Sequence, residues 1–374
     1  MFSEPESCII VKQYSIAVIE GDGIGREVVP EALSALEAIG RKHAISFHCQ
    51  HFDWSCERFR KTGRMMPADG IEQLRGFDAI FLGAVGYPGV PDHVSLWGLL
   101  IPIRRAFQQY VNLRPARLLR GIESPVKNFK AGEIDLYVVR ENNEGEYSQI
   151  GGRLYEKTSA EMAVQETVFT RRGCERVMRY AFELARTRKK HVTSATKSNG
   201  IVYTMPFWDE CFASVGSEFS DVRRDQFHID ILTAHFVRHP DWFDVVVGSN
   251  LFGDILSDLS AAVVGSIGIA PSANLNPERE FPSMFEPVHG SAPDIAGKGV
   301  ANPVAQIWSG AMMLDHLGEK AAAMELERAV ETVLAADGPK TPDLGGNATT
   351  RDVADAVVAE IARATTAPRQ SSLR

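Results

Sequence analysis

The sequence predicts an α/β protein of two domains, and three observations carry that expectation. Short apolar runs alternate with amphipathic stretches, the pattern of strands and helices laid down in turn. Polar, chemistry-bearing residues stand just past the ends of several apolar runs, where the ligand sites of such sheets lie. At 374 residues the chain is long for one core, so a second domain or a large insertion is expected.

Tyr14–Glu20 (YSIAVIE) reads as a buried strand, followed by glycine-rich Gly21–Gly25 and a helix from about Arg26 to Ile39. Ala79–Gly83 (AIFLG) repeats the short apolar run that ends in glycine. Ile134–Arg140 (IDLYVVR) is a further strand, with polar Glu141–Tyr147 beyond it. Met162–Ala185 has helical periodicity. His191–Ala195, His228–Leu232 and Phe243–Gly248 read as strands, and Leu251–Val264 as a helix. Ala321–Ala336 and Asp352–Ala364 read as two late amphipathic helices. No period of 20–50 residues recurs, so a solenoid is not expected. Residues 1–12 and 366–374 are polar and aperiodic, and are expected to be loose. No Gly/Ser linker divides the chain, so it is expected to cross between domains more than once.

Composition removes several classes of function. Hydrophobic residues make up 44% and charged residues 24%, which excludes disorder as the main state. No apolar run reaches the ~18 residues of a membrane-spanning helix. Met1–Lys12 has no basic start followed by an apolar core, so no signal peptide is expected. Lys and Arg number 40 against 48 Asp and Glu, a net charge of −8, which disfavours nucleic acid as partner. The dense basic run Arg186–His191 (RTRKKH) reads as a solvated helix end. The five cysteines, Cys8, Cys49, Cys56, Cys174 and Cys211, form no CxxC pair and are odd in number. Free thiols in a reducing cytoplasm are expected.

Five motifs can carry chemistry. Gly21-Asp22-Gly23-Ile24-Gly25 stands between a strand and a helix, where backbone amides can approach an anion. Its spacing is GxGxG, not GxGxxG, so a tight turn is an equally good reading. Arg104, Arg114 and Arg140 could clamp a di-acid through their guanidinium forks. Singly, each reads as well as a surface arginine or half of an internal ion pair. Asp254 and Asp258, four apart on one helix face, repel each other unless a cation compensates them, and a divalent metal does so directly. Asp230 could add a third carboxylate. Tyr147 could donate a proton and Lys197 accept one, although spacing alone does not bring them together. Finally, His289–Pro303 (HGSAPDIAGKGVANP) is rich in glycine and proline and reads as a shaped, ligand-wrapping loop. Its Asp294 could accept from a ribose 2′-hydroxyl and repel a 2′-phosphate, favouring NAD over NADP.

Together and in this order, GDGIG, NLRP, VVRENNEGEY, DVVVGSNLFGDILSD and EPVHGSAPDIAGKGVANP resemble the β-decarboxylating 2-hydroxyacid dehydrogenases, the isocitrate/isopropylmalate dehydrogenase family. The resemblance runs from about Ile16 to Ala356. It implies a two-domain α/β/α fold of the isopropylmalate dehydrogenase kind and not a Rossmann fold. The division implied is 1–109 with 265–374 as a larger cofactor-binding domain, and 110–264 as a smaller one with the metal site and dimer interface. Arg104, Arg114 and Arg140 match the family's clamp on the malate moiety, and Tyr147 its general acid. Lys197 and Asp230 match the catalytic lysine and its acidic neighbour, which this family takes from the other subunit of a homodimer with shared active sites. Asp230, Asp254 and Asp258 match the ligands of Mg2+ or Mn2+. Glu286, His289, Gly290, Ser291, Ala292, Asp294 and Asn302 match the cofactor loop. NAD is implied because NADP-dependent isocitrate members carry a lysine where Asp294 stands. A further need for a monovalent cation such as K+ stays open.

The substrate implied is a small dicarboxylate 2-hydroxy acid, and the subgroup depends on Asp92–Arg104 (DHVSLWGLLIPIR). Isocitrate enzymes hold a third carboxylate with Ser and Asn ahead of the first clamp arginine; here those places are Gly98 and Leu100. Isopropylmalate enzymes carry a glutamate seven residues before that arginine; here it is Trp97. PDHVSLWG resembles the tartrate and D-malate dehydrogenases, and Trp97 is expected to reduce the room for an isopropyl substituent. Apolar Leu100 and Ile101 keep 3-isopropylmalate open as an alternative. A silent regulatory subunit is a further alternative, set against the presence of every clamp, metal and acid–base residue. No membrane partner is expected, and the location expected is cytoplasmic.

Overall fold

The computed structural model describes residues 11–335 and 337–363. The chain forms two compact units, residues 1–95 with 285–374 and residues 96–284. Neither boundary coincides with the division expected at 109/110 and 264/265. The first cut comes earlier because the helical segment carrying Arg104 packs in the second unit, as do residues 265–284.

The first unit opens with β1 (Lys12–Gly21), α1 (Gly25–His43), β2 (Ile45–His51), α2 (Cys56–Thr62), α3 (Gly70–Leu74), β3 (Ala79–Ala84) and α4 (Asp92–Ser95). The second holds a π-helical turn (Leu96–Leu100), α5 (Ile101–Ala106), β4 (Val111–Arg117), β5 (Asp135–Glu141), β6 (Gly151–Leu154), β7 (Met162–Gln165), α6 (Arg171–Arg186), β8 (His191–Thr196), α7 (Thr204–Ser217), β9 (Arg223–His228), α8 (Ile229–Arg238), β10 (Val245–Gly248), α9 (Asn250–Val263) and β11 (Pro271–Leu275). The chain returns to the first unit through β12 (Ser283–Pro287), α10 (Val304–His316), α11 (Lys320–Ala335) and α12 (Thr350–Arg363). Strands alternate with helices in both, as the α/β expectation requires.

In the first unit the strand order is β2–β1–β3–β12, with β1 parallel to β2 and β3 and Ile16 opposite Cys49 and Ala79. Ile16, Val18, Phe81 and Leu82 are fully buried, as are Val28 and Val29 of α1 and Leu314 of α10. Parallel strands covered on both faces lose the polar–apolar alternation, which is why YSIAVIE and AIFLG read as unbroken apolar runs. In the second unit the order is β11–β4–β5–β10–β8–β9. There β5, β10, β8 and β9 run parallel, while β4 is antiparallel to both β5 and β11. This parallel register puts the C-terminal ends of β5, β8 and β10 at one edge. The loops beyond them carry Tyr147, Lys197 and, through α9, Asp254.

Two expected elements are corrected. Met162–Ala185 is not one helix: Met162–Gln165 is β7, paired antiparallel with β6 in an exposed hairpin. The helix starts only after Thr170, whose side chain accepts from the Gly173 amide at 3.0 Å and caps it. His228–Leu232 is not a strand either. Strand β9 ends at His228, and Asp230 lies in the first turn of α8. As an edge strand, RRDQFH is half exposed and polar, and so escapes an apolar-run reading. The basic run after α6 is also not wholly solvated. Arg188 pairs with Asp135 at 3.0 Å and Asp244 at 2.8 Å, with Asp244 buried.

Residues 1–10 and 366–374, expected to be loose, lie outside the described residues; Lys12 already belongs to β1. Cys49, Cys56, Cys174 and Cys211 are free thiols, and Cys8 lies outside the described residues. Among the described residues no helix is long and apolar enough to cross a membrane.

Candidate active site

In the second unit, five of the expected residues meet around α9. Ser249 caps that helix by accepting from the Phe252 amide, and the i,i+4 spacing turns Asp254 and Asp258 to one face. Strand β5 delivers Arg140 at its buried end, and neighbouring β4 delivers Arg114. Arg140 Nη1 forms a short ion pair with Asp254 Oδ1, while its Nε and Nη2 donate to Asn250 Oδ1 at 3.0 and 2.7 Å. Arg114 Nη1 lies 3.5 Å from Asp254 Oδ1 and 3.1 Å from Asp258 Oδ1, and donates to Ser257 Oγ at 2.6 Å. The Tyr147 hydroxyl donates to Asp254 Oδ2 at 3.0 Å. Arg104, buried in α5, contributes a further positive field at Asp254.

The protonation balance follows from these contacts. Burial alone would push the Asp254 carboxyl up, but Arg140, Arg114 and the Tyr147 hydroxyl outweigh it and hold Asp254 below the ordinary aspartate value. For Asp258, burial and the Asp254 charge outweigh Arg114, and its carboxyl is raised. Burial raises the Tyr147 phenol, and Asp254 adds to this against Arg140, so the phenol keeps its proton. Three guanidiniums against two carboxylates leave a formal charge of 3 − 2 = +1. That excess suits an anionic ligand.

The donor set fits a divalent metal: hard carboxylate oxygens four residues apart, now compensated by guanidiniums. The third expected carboxylate does not join them within one chain. Asp230 instead accepts from Lys197 Nζ at 2.8 Å, which lowers its carboxyl below the ordinary value. Among the described residues, no group of three or more His, Cys, Asp or Glu side chains is placed to hold a metal.

The first unit carries the loop His289–Pro303. Ala292, Ile295 and Ala296 pack on Ile24, Val28 and Ala301. The Glu27 carboxylate accepts from the Gly297 and Gly299 amides at 2.6 and 2.8 Å, and Asn302 donates to Asp343 at 3.0 Å. Glu286 lies on β12 and Ser291 is buried, whereas Asp294 is exposed. The loop fits a cofactor on two observations. His289 Nε2 is buried with no hydrogen-bond partner among the described residues, and its Nδ1 is spent on the Gly290 carbonyl at 2.8 Å. Gly290 has a φ of +66° and open space where a side chain would start.

The glycine-rich turn does different work. Three of its amides are committed: Asp22 to Ala84 at 2.7 Å, Ile24 to Ser291 at 3.0 Å and Gly25 to Asp22 at 3.0 Å. A Cβ on Gly23 would stand 2.0 Å from the Ser291 carbonyl oxygen. The turn is the seat of the His289–Pro303 loop. Buried Asp22 anchors it by accepting from the Cys56 and Gly86 amides at 2.9 and 3.2 Å.

Several site residues escape a reading by motif. Asn250 holds Arg140 and Ser257 holds Arg114, and the only sequence signal is the S-N start of a helix after a strand. Glu146 accepts from Ser249 Oγ at 2.7 Å and the Leu251 amide at 3.0 Å, tying the Tyr147 loop to the start of α9. Arg105 Nη2 donates to the Tyr147 carbonyl at 2.8 Å, and its guanidinium lies 5.0 Å from the centre of the Trp97 ring.

The sequence profile of isocitrate/isopropylmalate dehydrogenases matches residues 15–357. The chain belongs to that family. It is 56% identical over 362 residues to the decarboxylating D-malate dehydrogenase of Escherichia coli K12, covering 95% of this chain and 100% of the relative. It is 54% identical over 359 residues to the tartrate dehydrogenase/decarboxylase of Pseudomonas putida, covering 94% and 98%. The crystal structure of isocitrate dehydrogenase from Methylococcus capsulatus superposes with a TM-score of 0.83 at 36% identity, covering 93% of this chain and 99% of the other. The fold is thus the family's α/β fold, and the chain is an enzyme of the dehydrogenase class.

Proposed function

We propose that this enzyme oxidises D-malate and tartrate with NAD and a divalent metal, and decarboxylates the product where it is a β-keto acid. The observation that carries this reading is the convergence of Arg114, Arg140 and Tyr147 on Asp254, in a chain 56% identical to a D-malate dehydrogenase.

In this reading Arg104, Arg114 and Arg140 bind the substrate carboxylates and set the C2 hydroxyl in place. Asp254 and Asp258, with Asp230 of a second copy, hold Mg2+ or Mn2+, which supplies Lewis-acid polarisation of the substrate oxygens. Glu286, His289, Gly290, Ser291, Ala292, Asp294 and Asn302 hold NAD, which supplies the hydride acceptor. Lys197 takes the C2 hydroxyl proton. After CO2 leaves a β-keto product, Tyr147 gives its proton to C3.

A homodimer with shared sites is part of the proposal. Two features support it: Lys197 and Asp230 pair apart from Asp254 and Asp258, and apolar side chains lie open beside them. Tyr203 is 87% exposed, and Val202 and Ile231 are exposed too. A cytoplasmic location is proposed on the four free thiols.

The test is stoichiometric. D-malate, NAD and Mn2+ should give NADH and CO2 in equal amounts, and chelation of the metal should abolish both. NADH without CO2 would refute the decarboxylating half. Running the assay with and without K+ tests the monovalent-ion expectation.

A further inference from the structure

The ring of Trp97 faces Arg105, and Arg105 holds the main chain of Tyr147. Arg105 Nη2 donates to the Tyr147 carbonyl at 2.8 Å, and Nη1 lies 3.5 Å from Gln149 Oε1. Its guanidinium sits 5.0 Å from the Trp97 ring centre, within the range of a cation–π contact. Both side chains are half-buried. The helix geometry explains how residues eight apart meet. On a regular α-helix they point about 80° apart. The π-helical turn Leu96–Leu100 holds an extra residue and removes most of that offset. Trp97 and Arg105 then stand on one face, like residues seven apart.

On its other side, the Tyr147 loop is pinned by Glu146 to the start of α9. The hydroxyl of Tyr147 reaches Asp254 on the same helix. The tyrosine is thus held at its carbonyl, at the preceding residue and at its hydroxyl. From outside α9, the Arg140 guanidinium also lies 5.4 Å from its ring centre and Gln165 Nε2 donates to the Glu146 carbonyl at 2.8 Å, while Arg105 holds the Tyr147 main chain itself.

We propose that Arg105, seated on Trp97, is a positioning residue for Tyr147, and that Trp97 acts on the reaction through Arg105 rather than as a wall of the substituent pocket. The proposal rests on the reading of Tyr147 as the general acid. The step concerned is the one that follows oxidation. The C3–C4 bond of the β-keto acid breaks and CO2 leaves. The electron pair stays on the remaining fragment as an enolate. C3 then takes the proton of the Tyr147 hydroxyl, and water later restores that proton to the phenolate. A tyrosine displaced by a fraction of an ångström protonates C3 slowly, while the arginine clamp and the hydride step are untouched.

The experiment measures kcat and KM for decarboxylation of added oxaloacetate with Mn2+, where no hydride moves, in Arg105→Met, Arg105→Lys, Trp97→Ala, the double variant Trp97→Ala/Arg105→Met, and Tyr147→Phe. Arg105→Met, which fills the space without a donor, should lose on the order of tenfold in kcat with KM within about twofold. Arg105→Lys should recover most of that loss, because an ammonium can still donate to the Tyr147 carbonyl. Trp97→Ala should lose in the same sense, and the double variant should be no worse than Arg105→Met alone. Wild-type kcat in Arg105→Met, or additive losses in the double variant, would overturn the proposal. So would a Trp97→Ala enzyme with unchanged kcat for oxaloacetate that gains turnover of 3-isopropylmalate, since that is the behaviour of a pocket wall. If Tyr147→Phe itself decarboxylates normally, the general-acid reading fails instead. Melting curves identify any variant that does not fold; Trp97→Ala then carries the test in place of Arg105→Met.

Discussion

Tyr147 and Asp254 share one hydrogen bond, hydroxyl to Oδ2 at 3.0 Å, and so the proposed proton donor and the proposed metal ligand are held as a unit. Arg140, with only 3% of its side chain exposed, takes the other Asp254 oxygen. A carboxylate in that position is stabilised in its charged form, the state a metal ligand needs.

Asp254 and Asp258 should therefore account for most of the divalent-metal affinity. Asp258→Asn is the cleaner variant, because its side chain is 57% exposed and Arg114 retains Ser257 and Asp254. Mn2+ affinity should fall by about 10- to 100-fold in Asp258→Asn, with little change in melting temperature. Calorimetric titration checks this, and unchanged affinity would remove Asp258 from the metal site.

Asp294 should set the choice of cofactor. Its exposed carboxylate would face a 2′-phosphate with like charge, at a cost of about 1–3 kcal/mol, so kcat/KM should favour NAD over NADP by roughly tenfold to a hundredfold. Asp294→Lys should move the ratio toward NADP. Equal use of both cofactors by the wild type would count against the assignment.

Much of this was legible because parallel strands buried on both faces read as unbroken apolar runs. YSIAVIE, AIFLG, IDLYVVR and FDVVVG all appear as strands within a few residues of their expected limits. The residues proposed as clamp, metal ligands and acid stand in motifs whose order resembles the family's, and five of them meet around α9. What escaped was set by tertiary context. Edge strand β9 is polar because one side meets solvent, and the exposed hairpin β6–β7 mimics a helix start. The partner of Trp97 depends on a π-helical turn that no spacing rule announces. Asp22 and the glycines around it carry a phosphate-like signature, but the amides of Asp22, Ile24 and Gly25 bind the chain itself.

Shared sites make a prediction about mixtures. Lys197→Ala and Tyr147→Phe enzymes should each be inactive in oxidative decarboxylation. Subunit exchange between them should return about a quarter of wild-type activity at most, because only one site of a hybrid dimer is intact. Mass spectrometry verifies the exchange. Verified hybrids without activity would end the shared-site proposal.

Stability should depend on pH through Glu325. Its carboxyl, 21% exposed, bonds Lys42 and lies 2.8 Å from His43 Nε2. Burial pushes its pKa up, but Lys42 and His43 outweigh this and hold it below the ordinary glutamate value. A depressed carboxyl contributes stability above its unfolded value and loses it as pH falls through the folded one. Glu325→Gln should therefore cost about 1 kcal/mol near pH 7 and little near pH 3. Urea unfolding at the two pH values checks the difference, and an equal cost at both would contradict it.

The preferred substrate is decided by kcat/KM measured side by side for D-malate, tartrate and 3-isopropylmalate with NAD and Mn2+. D-malate or tartrate should lead and 3-isopropylmalate should trail by at least about tenfold, the effect of roughly 1.4 kcal/mol at the transition state. Turnover of 3-isopropylmalate as efficient as that of D-malate and tartrate would contradict it.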